Sequence, residues 1–241
     1  MALIKYNGIL GKFGGSLGGF GGAAPAPPSA TLISEWPFLS DGTDSVSSYD
    51  LTLSGDPELP DFVEYPASSG EYGMFIIGEL GQEATITAVE CPNIFTPIRA
   101  DDPWSLSFWY CNPTPEPEDL SGAMAIGVVD VVDIYSNGGE VFVSLSGGTE
   151  FLIGLTIDPE TWYLITLAFD GTEMKTYYDA SLVDERGFSY SGYTEDVQPI
   201  MFGQGALIPA VEAVFSDARF YTGTLSGDDI TALYAAGPTT A

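Results

Sequence analysis

The stretch Trp162-Tyr163-Leu164-Ile165-Thr166-Leu167-Ala168-Phe169 decides the fold. In an extended chain, successive side chains point to opposite faces. Trp162, Leu164, Thr166 and Ala168 share one face, and Tyr163, Ile165, Leu167 and Phe169 the other. Both faces are apolar, so the run predicts a strand covered on both sides and central in its sheet. Asp170-Gly171 closes it with a turn signal, and Glu173–Asp179 reads as the returning strand.

The same pattern extends in both directions. Short apolar or alternating runs span Thr31–Trp36, Tyr49–Ser54, Phe62–Tyr65, Gly73–Ile77, Glu83–Glu90, Trp104–Cys111 and Gly122–Val129. They continue as Val132–Tyr135, Glu140–Leu145, Glu150–Leu155, Gln198–Phe202 and Ala210–Tyr221. Turn signals separate them: Asp41-Gly42, Ser54-Gly55-Asp56-Pro57, Asn137-Gly138-Gly139 and Ser146-Gly147-Gly148. Many short strands with turns at this spacing predict an all-β, two-sheet antiparallel jelly-roll β-sandwich. One helix is expected, near the C-terminus. Ser226 is its N-cap, Asp229 completes a capping box, Ile230, Leu233 and Tyr234 follow helical spacing, and Gly237-Pro238 stops it.

The first 30 residues differ from this body. They contain Lys5 and Lys12 and no acid, whereas the rest carries all 34 Asp and Glu against four basic side chains. The segment repeats with a period of seven, with aromatics at Tyr6, Phe13 and Phe20 and leucines at Leu10 and Leu17. Glycine is too frequent for an independent fold, yet the apolar groups are regularly spaced. We read residues 1–30 as an attachment arm and linker, and 31–241 as the folded domain. Lys5, Tyr6, Ile9, Leu10, Lys12, Phe13, Leu17 and Phe20 are its expected partner-binding residues. The segment could add a strand to a partner's sheet edge or wind with its own copies, in trimers by analogy with virion fibres. A plain disordered linker is the other reading. The segment has neither the continuous apolar core of a signal peptide nor a run long enough to span a membrane.

Composition excludes much chemistry. A net charge of −28 repels nucleic acid and anionic membranes. Histidine is absent, which rules out a Ser-His-Asp triad and removes the commonest transition-metal ligand. Cys91 and Cys111 are expected free and buried, although one disulfide is conceivable from their number. No paired-carboxylate run of the glycosidase kind occurs: Asp130 and Asp133, three apart, point to opposite faces of a strand.

The segment Ala218-Arg219-Phe220-Tyr221-Thr222-Gly223-Thr224-Leu225-Ser226, leading to Leu233-Tyr234, resembles the closing signature of laminin-G-like, concanavalin A-like jelly-roll domains. The hairpin from Trp162 through Asp170-Gly171 to Tyr177-Tyr178-Asp179-Ala180 resembles theirs, with Tyr163 and Ala180 departing from the usual His and Gly. Because Ala180 stands where the family has glycine, that turn is expected to differ. Trp104–Trp109 and Trp36 with Asp44 complete the order. The resemblance implies lectins, glycosidases, adhesion modules and virion proteins as functional classes. It also implies a structural calcium for some members, with Asp44 and Asp217 as the residues nearest to ligand positions. Phe188, Tyr190 and Tyr193, with Tyr72, lie in Gly/Ser-rich loops where rings could stack on sugars or pack beneath the loop.

The expectation is therefore a non-enzymatic virion structural protein of tailed-phage type. The arm would bind a major capsid or tail protein and its own copies, without any cofactor, and the acidic jelly roll would face solvent. The alternative is a carbohydrate-binding adhesion or receptor-binding module that contacts a cell-surface glycan.

Overall fold

The computed structural model describes residues 30–55, 58–76, 83–86, 89–113, 126–128, 132–137, 140–145, 149–187, 200–203 and 212–240. Its strands form two antiparallel sheets. One has eight strands: β13 (Ser181–Gly187), β12 (Glu173–Tyr178), β11 (Trp162–Phe169), β6 (Trp104–Cys111), β15 (Ala213–Thr222), β4 (Tyr72–Ile76) and β3 (Asp61–Glu64) in spatial order, with β1 (Thr31–Trp36) also on β15. The other has seven: β10 (Thr149–Thr156), β9 (Glu140–Leu145), β8 (Val132–Asn137), β7 (Ile126–Val128), β14 (Ile200–Phe202), β5 (Glu83–Ile86) and β2 (Thr52–Ser54). The expected sandwich is the observed one.

β11 lies inside its sheet between β12 and β6, as its two apolar faces require. Tyr163, Ile165, Leu167 and Phe169 join the core between the sheets, and Leu164 joins a second cluster on the outer face. The inter-sheet core is aromatic. Phe202 packs edge-on against Trp36, Phe38 and Phe215, and Trp104 stacks on Phe220. Buried Trp36 still satisfies its polar end, donating from Nε1 to the Tyr49 carbonyl at 2.8 Å.

α2 (Gly227–Ala236) starts at Ser226 with the anticipated capping box and ends at Gly237, where φ is +76°. It lies over the outer cluster, with Ile230 buried and Tyr234 stacked on Trp109 at 5.8 Å. Ser105 Oγ fixes the approach to the helix. It donates to the Gly223 carbonyl at 3.1 Å and accepts from the Leu225 amide at 3.0 Å. Among the described residues, no helix is long and apolar enough to cross a membrane.

Two details differ from the sequence expectation. Glu83–Glu90 is not one strand: β5 ends at Ile86, and a second helix, α1 (Pro92–Arg99), follows. Its Ile94, Phe95 and Ile98 plug the core. β13 was not anticipated. At the Asp179-Ala180 turn both residues take left-handed conformations, φ +45° and +63°. The two cysteines are buried and unbonded, and burial pushes each thiol up to about 12. Both therefore stay protonated and inert at neutral pH.

Candidate functional site

β15 carries a bulge. Ser216 faces Trp109 of β6 while Arg219 faces Ser107, so one extra residue is accommodated on β15. Asp217 absorbs it with φ +45°. A bulge re-aims side chains, and this one brings Asp217 and Arg219 to the same place. Glu35 of β1 pairs directly opposite Arg219 and completes a trio.

The trio lines an open cleft of about 260 Å³ whose other walls are Pro37, Ala236, Gly237, Pro238 and Thr239. Arg219 Nε lies 2.8 Å from Glu35 Oε1 and 2.9 Å from Asp217 Oδ1. The Nε–H is aligned on neither oxygen, so the pairing through this atom is Coulombic. Ser45 Oγ donates to Glu35 Oε2 at 2.6 Å. The chain after α2 is pinned as a wall: the Thr239 amide donates to Ser216 Oγ at 3.1 Å, and the Tyr72 amide to the Thr239 carbonyl at 2.8 Å.

Burial dominates the electrostatics. Asp217 is 9% exposed. Desolvation raises its carboxyl to about 6, with Arg219 opposing and Glu35 adding to the rise. Burial works against the Arg219 charge, but Asp217 and Glu35 outweigh it and hold the guanidinium above its ordinary value. The cleft thus holds two acidic side chains beside one guanidinium, positioned by the β1–β15 pairing and the bulge.

A second cleft, about 170 Å³, shares Pro37 and is lined by Phe38, Leu39, Ser40, Asp41, Thr43 and Ser45. Phe38 is buried at φ +58°, a strained conformation for a bulky residue, which the surrounding aromatic core enforces. Asp44 organises this loop from inside. Its Oδ1 accepts from the amides of Glu35, Val46 and Ser47 at 3.1, 2.9 and 3.1 Å, and Oδ2 accepts from Ser47 Oγ. Those bonds lower its pKa although burial, the largest single influence, acts the other way.

Asp44 and Asp217 therefore do not fit the calcium role that the family resemblance implies. Calcium needs six to eight oxygens turned towards it. Asp44 is engaged by loop donors and Asp217 faces a guanidinium. Among the described residues, no group of three or more acids or thiols is arranged to hold a metal. Tyr72 sits in β4, its amide holding the C-terminal wall. Phe188, Tyr190 and Tyr193, and the arm residues Lys5 to Phe20, lie outside the described residues. Sequence reading singled out Asp217 and missed Glu35 and Arg219. The one available signal was Asp217-Ala218-Arg219, opposite charges two apart in an otherwise apolar strand.

No family model and no curated protein matches the chain. Solved structures do. Domain 4 of AbnA, a GH43 extracellular arabinanase from Geobacillus stearothermophilus, solved in complex with arabinotriose, has a TM-score of 0.64 at 13% identity; the match covers 86% of this chain and 99% of that one. The botulinum neurotoxin serotype C1 binding domain has a TM-score of 0.62 at 18% identity, covering 86% and 52%. A botulinum neurotoxin type C structure, described with cell entry dependent on two ganglioside molecules, has a TM-score of 0.60 at 17% identity, covering 85% and 51%. This chain spans about half the length of the neurotoxin chains it matches. At such identities the likeness is one of fold.

Proposed function

We propose that the chain is a non-catalytic carbohydrate-binding module that holds its glycan at the Glu35–Asp217–Arg219 cleft. The observation that carries this reading is a preformed set of planar charged groups at the wall of an open cleft. Sugar hydroxyls donate to carboxylates and accept from guanidinium, and Pro37 and Pro238 offer apolar edges. The ion pairs and the pinned C-terminal wall hold these groups in place before binding, which reduces the ordering cost. The fold likeness to a domain solved with arabinotriose supports the ligand class.

Hydrolysis at this cleft is disfavoured by its geometry. Glu35 and Asp217 both touch Arg219 Nε, so they lie within about 6 Å of one another, the spacing of a retaining glycosidase. The guanidinium fills the space between them, where a reacting sugar carbon would have to sit. Titration of the full chain with arabino-oligosaccharides, followed by calorimetry, tests the reading. Saturable binding is expected, weakened at least tenfold by Glu35→Gln, with no release of reducing ends. Binding that is indifferent to Glu35→Gln and to Arg219→Lys would remove the cleft from the proposal.

The attachment role of residues 1–22 stands as a second proposal, favoured by the break in charge between that segment and the acidic body. A chain lacking residues 2–22 should fold and bind glycan as the full chain does, yet lose incorporation into virus particles. Unimpaired incorporation rules the role out.

A further inference from the structure

We infer that the cleft admits uncharged or amine-bearing sugars and turns away acidic ones; this rests on the carbohydrate-binding reading above. Acidic sugars are ordinarily gripped by an arginine that offers both prongs of its fork to the sugar carboxylate. Arg219, the one cation among the described residues that line this cleft, already has two carboxylates against it. Its Nε already stands between Glu35 Oε1 and Asp217 Oδ1, at 2.8 and 2.9 Å. Two carboxylates against one guanidinium leave a formal excess of one negative charge at the wall.

The backbone adds to that excess. Ala236 and Gly237, at the C-terminal end of α2, line the same cleft, and the last turn of α2 contains no basic residue. Unpaired carbonyls at a helix C-terminus carry partial negative charge. A third source is the molecule as a whole, whose net charge of −28 repels anions from any approach. Low exposure at Asp217 keeps the local field from being screened by water. A hydroxyl donor or an ammonium satisfies the carboxylate lone pairs. A uronate or sialate meets two like charges and a dipole of the same sign.

The test uses the full native chain and three oligosaccharides matched in length: arabino-oligosaccharide, glucosamine oligomer and galacturonate oligomer, with sialyllactose as a second acid. The neutral and amine-bearing ligands should bind at least tenfold more tightly than either acid at low salt. Raising salt should narrow the gap, and Glu35→Gln and Asp217→Asn should each narrow it too. Equal or tighter binding of the acids, with Glu35→Gln still weakening it, overturns the selectivity and leaves the binding module standing. Absence of binding to all four ligands overturns both. Because the ligand panel reads selectivity on the native chain, the outcome does not depend on the variants folding.

Discussion

A β-carbon added to Gly73 would lie 2.6 Å from the Phe215 carbonyl oxygen, 2.7 Å from Val214 Cγ1 and 3.1 Å from Trp162 Cη2. The backbone atom in that set cannot yield without moving β15, and the indole is tied by its Nε1 donation to the Tyr65 carbonyl at 3.0 Å. Gly73→Ala should therefore cost about 3 kcal/mol, read as a lowered urea midpoint. Asp217 gives a second residue-scale expectation. Its folded pKa of about 6 exceeds the unfolded value near 3.8, so the folded state binds the extra proton. This contribution stabilises at low pH and is lost as pH rises from about 4 to about 6. Asparagine tolerates the left-handed backbone at this position and cannot ionise. Relative to Asp217→Asn, the native protein should lose up to about 3 kcal/mol across that window, measured by denaturation at a series of pH values. A constant difference between the two proteins would mean that the carboxyl titrates normally.

At the scale of elements, legibility followed the strength of periodicity. β1, β6, β9 and β11 were readable to the residue because each is an apolar or alternating run bounded by turn residues. β13, with sequence SLVDERG, is largely exposed at a sheet edge, so its charges hid it. α1 was obscured by Pro92 and Pro97, although Cys91, Ile94, Phe95 and Ile98 recur at helical spacing and are all buried. Proline at the first helical position is favourable, which makes Pro92 a start signal rather than a breaker. The cleft was illegible for another reason: Glu35 and Arg219 are brought together only by the pairing of β1 with β15 and the bulge beside it. Two elements offer direct tests. The β12–β13 hairpin holds Ala180 at φ +63°, where a β-carbon is strained. Ala180→Gly should raise stability by about 1 kcal/mol, less whatever its methyl contributes to the outer cluster, with an unchanged denaturant slope. In α2, Ser226 Oγ accepts from the Asp229 amide at 3.2 Å, and Asp229 accepts from the Ser226 amide at 3.0 Å. Ser226→Ala removes one half of this box and should cost about 1 kcal/mol. Hydrogen exchange at the Ile230 amide, which donates to the Ser226 carbonyl, should accelerate before the strands respond.

For the whole molecule, charge is the property that the fold cannot neutralise internally. The chain has 34 acidic and six basic side chains. Lys175, Arg186 and Arg219 each already stand beside an acid: Lys175 at 3.0 Å from Glu185, Arg186 at 2.8 Å from Asp184, and Arg219 between its two carboxylates. The remaining acids repel one another over distances comparable with the domain. Such repulsion acts over about 30 Å at 0.01 M salt and about 3 Å at 1 M. Compacting the chain concentrates like charge, so the folded state gains more from screening than the expanded one. The melting temperature at pH 7 should accordingly rise by several degrees between about 10 mM and about 500 mM sodium chloride. The rise should shrink as pH approaches about 4, where the carboxylates themselves neutralise. Sodium chloride is the appropriate salt because sulfate and phosphate would stabilise by exclusion from the surface whatever the charge. A melting temperature unmoved by chloride at pH 7 would show that the acids are spaced widely enough to ignore one another. Rejection of acidic sugars would then be left to the cleft's own two carboxylates and the C-terminal end of α2.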